Sequence, residues 1–176
     1  MMTARALLAF AGFLQLVLLA SSAVDPSKCI AIWTFRLPCS EPVRDLVKQL
    51  KTWSTKKCRD GPEKCRYEIL TESAQSLEVK HTSPQTGKVM DINYEFAPPA
   101  AKSFCKIKAI STSTSNNSTG PNDYCILHNL IEASGLMEAE GYQEICNKEK
   151  CPSKSSAHCD KEEVLADKSQ LSTRFL

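Results

Sequence analysis

Much of what would name a reaction is missing from this sequence. Its six glycines are dispersed along 176 residues, so there is no glycine-rich loop to cradle a phosphate. None of its serines sits in a G-x-S-x-G elbow, which removes that route to a nucleophilic hydrolase. The cysteines do not form a C-x2-C knuckle, the usual start of a structural zinc site. The formal net charge is only +2, which gives no argument for nucleic acid or an anionic membrane as partner. No internal repeat is visible, and the one long apolar run, Ala6 to Leu19, falls short of the roughly 20 residues that span a bilayer.

That run has another reading. Arg5 precedes it, and Ser21 and Ala23 are small residues placed as in a signal-peptidase site. Residues 1–23 are therefore read as a cleaved secretory leader, and removing 23 of 176 residues leaves a chain of 153 that suits one domain. The tail from Ser172 to Leu176 has no hydrophobic run for a lipid-anchor signal.

What the sequence does have is nine cysteines, all behind the leader: Cys29, Cys39, Cys58, Cys65, Cys105, Cys125, Cys146, Cys151 and Cys159. In an oxidising compartment these are disulfide candidates first. Each bridge would contribute about 2–4 kcal/mol by restricting the unfolded chain, a large share of a net stability of roughly 5–15 kcal/mol. Nine is odd, so one thiol is left over, inert or joined to a second chain as a disulfide-linked dimer. Cys58–Cys65 would close a turn between helix and sheet, and Cys29–Cys39 would tie the first strand to that helix. Of Cys146, Cys151 and Cys159, two would pair and the third would be the odd thiol.

The pattern along the chain is mixed. Cys29 to Phe35 is rich in β-branched and aromatic residues and reads as a strand. A helix follows, with Ser40 as N-cap, Pro42 in its first turn, and Val43, Leu46, Val47, Leu50 and Trp53 on one stripe. Asp60-Gly61-Pro62 ends it. The period then becomes two, in runs around Cys65–Ile69, Leu77–Val79, Met90–Phe96 and Cys105–Ala109, each with one apolar and one wet face. Tyr124–Ile131 reads two ways. Asn122-Asp123 and Gly135 suit a helix; continuous apolarity after four strands suits a last buried strand, the reading taken here. Residues 136–145 suggest a short helix.

Candidate sites are few. Residues 111–122 form a polar, low-complexity loop holding overlapping glycosylation sequons at Asn116 and Asn117. His81 shares the apolar face of Leu77 and Val79, which makes it a structural histidine. His158 beside Cys159, Cys151 and Cys146 lacks metal-ligand spacing. Glu68, Glu78, Asp91 and Glu95 fall on the wet strand face, and no fixed geometry joins Glu132, Glu138 and Glu140. Arg59, Lys64 and Arg66 would make a modest basic patch with Lys102, Lys106 and Lys108 if their strands were neighbours; the reading taken here is ordinary solubility, with Glu and Asp interspersed. No catalytic residue, cofactor site or metal site is assigned.

A strand, a long helix and four antiparallel strands is the element order of the cystatin-like superfamily, and Lys102-Ser-Phe-Cys-Lys-Ile-Lys-Ala-Ile110 resembles the penultimate strand of secreted cystatins. The resemblance implies a bridge from Cys105 to Cys125, twenty residues on, in the final strand. The Q-x-V-x-G and Pro-Trp hairpins of inhibitory cystatins are not present here: Pro84 to Val89 does not fit the first, and the serine- and threonine-rich loop stands in place of the second. A lipocalin-like barrel is the other architecture considered. Asn122-Asp-Tyr124 is similar to that family's middle motif, but Trp33 lacks its opening glycine.

The sequence therefore predicts an α+β fold, an N-terminal helix packed on a four- to five-stranded antiparallel sheet, cystatin-like and disulfide-bonded. Residues 24–145 would be one domain, and 146–176 a cysteine-containing, partly mobile extension. The expected function is that of a secreted, N-glycosylated, non-catalytic extracellular binding protein with a protein partner. It would use no nucleic acid, membrane insertion or cofactor. The alternatives are a cystatin-like peptidase inhibitor with altered loops and a lipocalin-like carrier of a small apolar ligand.

Overall fold

The computed structural model describes residues 28–97, 103–114, 122–157 and 159. The leader, both sequon asparagines, His158, Lys102 and the tail from residue 160 lie outside these. Among the described residues no helix is long and apolar enough to cross a membrane.

Six antiparallel strands form one sheet: β1 (Lys28–Phe35), β2 (Tyr67–Glu72), β3 (Ser76–Thr82), β4 (Val89–Ala97), β5 (Cys105–Ser113) and β6 (Gln143–Ile145). Their order across the sheet is β2-β3-β4-β5-β1-β6. Two helices, α1 (Ser40–Trp53) and α2 (Asn122–Ala133), complete the α+β fold. The count exceeds the four to five strands expected. The described chain opens on a strand rather than a helix, and a second helix joins α1 in the same core.

The period-two runs bury one face. On β1, Cys29, Ala31, Trp33 and Phe35 are fully inaccessible, and on β4 Met90, Ile92, Tyr94 and Phe96 are buried. Leu46, Leu50 and Trp53 from α1 and Leu127, Leu130 and Ile131 from α2 join the same core. Each such side chain contributes about 1.5–3 kcal/mol by leaving water. Ser40 begins α1 but does not cap it; Cys39 occupies the cap position, with no side-chain cap bond, and its carbonyl accepts from the Val43 amide at 3.2 Å.

The central surprise is β1. It pairs along its whole length with β5, from Lys28 opposite Thr112 to Phe35 opposite Cys105. The free edge of β5 is thereby taken, so residues 124–131 have no place beside it as a last strand. They form α2 instead and cover the face of the sheet, which corrects the strand expected there. A continuous apolar run cannot by itself distinguish the two. Asp123 in the first turn receives Lys88 at 3.0 Å, and Gly135, at φ 74°, lets the chain turn out of the helix. Residues 136–145 are a 3-10 turn at Leu136–Glu138 and then β6, which pairs Ile145 with Ile32 on the other side of β1.

The same pairing redraws the disulfides. Phe35 opposite Cys105 brings the end of β1 to the start of β5, so Cys39 meets Cys105 with α-carbons 4.8 Å apart. Cys125 on α2 bonds Cys159. The expected Cys105–Cys125 and Cys29–Cys39 bridges are therefore replaced. Cys29 bonds Cys151, next to the bond from the Ile30 amide to the Lys150 carbonyl at 2.8 Å. Cys58 bonds Cys65 as expected. Cys146 alone is free, and the other two cysteines of its trio pair outside it rather than with each other.

Candidate functional site

Three polar constellations stand out. The first lies under the β2–β3 end of the sheet. His81 is fully buried and its ring lies 4.4 Å from that of Tyr67, which in turn packs 5.6 Å from Trp53. Glu63 reaches within 3.6 Å of the imidazole and accepts from Ser83 Oγ at 2.9 Å. Burial lowers the His81 pKa to about 4, so the ring is neutral near pH 7. Ser83 bonds the carboxylate rather than the imidazole. His81 is buried on the apolar face, where the period-two pattern put it.

The second was not legible in the sequence. Glu144 on β6 accepts Tyr124 Oη at 2.8 Å and Tyr142 Oη at 3.3 Å, and is paired with Lys154. The His128 Nδ1 atom lies 3.8 Å away. Burial pushes the Glu144 carboxyl up, but the bonds from His128, Lys154 and Tyr124 outweigh it and hold the group at about 2. Cys146 follows two residues later, and burial raises its thiol to about 11. A thiol so raised is protonated at neutral pH and a poor nucleophile. These residues come from α2, from β6 and the residues on either side of it, and from the 3-10 turn Pro152–Ser156, which only the tertiary fold brings together.

The third is a surface. Two open clefts run along α1 beside β2 and meet at Lys51. One, of about 800 Å³, is lined by Lys51, Thr55, Lys56, Arg66, Tyr67 and Glu68 among others. The second, about 700 Å³, includes Val43, Arg44, Lys48, Lys51 and Glu72. Residues 48–66 hold seven cationic side chains against two carboxylates, Asp60 and Glu63, while the whole chain carries only +2. Both carboxylates are engaged by core groups: Asp60 accepts Trp53 Nε1 at 2.9 Å and Glu63 turns toward His81 and Ser83. Lys48, Lys51, Lys56 and Arg66 are exposed and form no ion pair among the described residues.

Arg66 is also strained. It is the one described non-glycine residue with positive φ, 56°. Its amide donates to the Thr55 carbonyl at 2.9 Å, its carbonyl accepts the Thr82 amide at 3.2 Å, and the Cys58–Cys65 bridge ends immediately before it. The loop is thus fixed at both ends and the guanidinium lines the cleft.

The basic patch that depended on those strands being neighbours does not assemble. Lys106 and Lys108 are on β5, and β3 and β4 separate that strand from β2, which Arg66 precedes. Instead Arg66 joins lysines from α1, a partnership signalled only by the density of Lys and Arg from 48 to 66. The wet-face carboxylates are dispersed: Glu95 pairs with Lys108 at 2.9 Å and Glu78 accepts Thr71 Oγ1 at 2.9 Å. Glu140, ahead of β6, pairs with Arg36 at 3.4 Å. Among the described residues no group of three or more His, Cys, Asp or Glu is placed to hold a metal ion.

No protein-family model matches the chain, and no curated protein does. Two solved structures are similar to it at a distance. Protein CV1439 from Chromobacterium violaceum is 8% identical, with a TM-score of 0.37 over 64% of this chain and 97% of its own. TTHA0849 from Thermus thermophilus is 10% identical, with a TM-score of 0.29 over 61% of this chain and 86% of its own. Neither likeness is close enough to bear on function.

Proposed function

We propose that the protein is a secreted, disulfide-stabilised, N-glycosylated extracellular binding protein that works without catalysis. The observation that carries this reading is the open, cation-lined cleft along α1 and β2, framed by the Cys58–Cys65 bridge. It presents cationic side chains on an open surface, the geometry of a docking face rather than of an enclosed reaction site. The buried titratable groups are spoken for. His81 is neutral, Glu144 is held ionised by its partners, and the Cys146 thiol is protonated near pH 7.

The two alternative readings have less support. A cystatin-like scaffold lost its one specific feature when Cys105 bonded Cys39. A carrier would need space between Tyr67, Ile69, Met90, Ile92 and Phe96 and the helix, yet Leu46, Val47, Leu50 and Trp53 pack into one cluster with those side chains.

Expression of the full chain in secreting animal cells tests the reading. The protein is expected in the medium, beginning at Val24, with a mass that falls on removal of N-linked glycans. Labelled protein is expected to adhere saturably to cell-deposited matrix. Retention inside the cell, or no saturable adhesion, would overturn the proposal.

A further inference from the structure

The cleft has a charge pattern that specifies its occupant more narrowly. Lys48 and Lys51 lie on one face of α1, and Lys56 and Arg66 continue the line across the turn, so the cations form a track rather than a single pocket. On a helix, residues three apart are neighbours along the axis, about 4.5 Å in rise. Of the two carboxylates within this segment, Glu63 is buried against His81 and Ser83 and the exposed Asp60 accepts Trp53 Nε1; with Glu68 and Glu72 at the cleft walls, cations still predominate along it. Arg66 is held in a strained conformation, and strain retained in a bound-down loop is characteristic of functional positions.

From this juxtaposition we infer that the α1–β2 cleft binds a linear sulfated polysaccharide of the extracellular matrix, with Lys51, Lys56 and Arg66 as its central contacts. The inference rests on the extracellular binding reading above. A sulfate offers three peripheral oxygens, which a guanidinium grips in bidentate fashion and a lysine meets as a point charge. An extended acidic peptide fits less well. Adding a strand to β2 would need a regular edge, whereas β2 carries a register shift between Ile69 and Thr71. A peptide also draws most of its affinity from an aromatic or aliphatic anchor in a desolvated pocket, and both clefts here are open.

The test uses the secreted, disulfide-bonded full chain on immobilised heparin, with fully desulfated heparin and poly-glutamate as comparison ligands. The parent is expected to stay bound above physiological salt of about 0.15 M and to bind neither comparison ligand comparably. The triple variant Lys51→Ala/Lys56→Ala/Arg66→Gly is expected to weaken binding by roughly tenfold or more. Glycine at position 66 suits the positive φ, so the fold is expected to survive; a circular dichroism melt checks this. If the triple variant misfolds, the exposed Lys51→Ala variant alone carries the test, with several-fold weakening expected. The control Lys28→Ala/Lys80→Ala/Lys106→Ala, on the other face of the sheet, is expected to bind like the parent. Equal loss in the control, unchanged binding in the cleft variants, no retention of the parent, or equal affinity for poly-glutamate would each overturn the assignment. Matrix adhesion that survives enzymatic removal of sulfated polysaccharide would overturn it too, while leaving the broader binding reading intact.

Discussion

The imidazole of His81 lies 3.6 Å from the carboxylate of Glu63, and solvent reaches neither to any extent. Its folded-state pKa, lowered to about 4 from 6.5, means that the unfolded chain binds the proton more readily. Stability is therefore intact above pH 6.5 and is lost as the pH falls toward 4, by on the order of 3 kcal/mol. Urea unfolding at a series of pH values should show this decline, and His81→Leu should flatten it.

Glu144 governs a lower window. Its pKa of about 2, against 4.5 unperturbed, places its contribution fully above pH 4.5 and removes it as the pH falls through 2. Glu144→Gln removes the negative charge that Tyr124, His128 and Lys154 share and replaces one acceptor oxygen with a donor, and is expected to cost about 2 kcal/mol at neutral pH. In that variant the acid-dependent step between pH 4.5 and 2 should disappear from the stability profile.

The bridges differ in the chain they close. Cys29–Cys151 spans 122 residues and Cys58–Cys65 spans 7. Paired replacement by alanine is expected to cost about 5 kcal/mol for the first and about 2 kcal/mol for the second by loop entropy alone. A non-reducing peptide map should recover Cys39–Cys105 and Cys125–Cys159; a Cys105–Cys125 peptide would refute the strand order as well as the bridges.

Arg66→Gly alone should hold or raise the melting temperature. Left-handed backbone costs a non-glycine residue about 1–2 kcal/mol, and glycine returns part of that as unfolded-chain entropy. A fall of several degrees would show that the Arg66 side chain stabilises the fold it strains.

The Cys146 thiol, half-buried and raised to about 11, should react with iodoacetamide at pH 8 at least ~10-fold more slowly than an unfolded-state cysteine. Pairing with a second chain would be slowed by the same scarcity of thiolate. Mass spectrometry over a time course measures both.

Much of this fold was legible from local pattern. Alternation placed β2 to β5, the stripe from Val43 to Trp53 placed α1, and Asp60-Gly61-Pro62 ended it, because period and breakers are local properties of the chain. The compactness of the Cys58–Cys65 turn followed from sequence proximity in the same way. Which strand lies beside which is not local. Once Lys28–Phe35 pairs with Cys105–Ser113, the edge a further strand would need is gone, Tyr124–Ile131 becomes helix, and Cys39 rather than Cys125 stands before Cys105. That pairing also decides the polar sites. Glu144, Tyr124 and Lys154 meet only because β6 adds to the far side of β1 and α2 covers the sheet. The cation track forms only because the turn after α1 returns Arg66 to the helix. Composition fixed how many charges and thiols the chain has; contacts between residues far apart in sequence fixed what each of them faces.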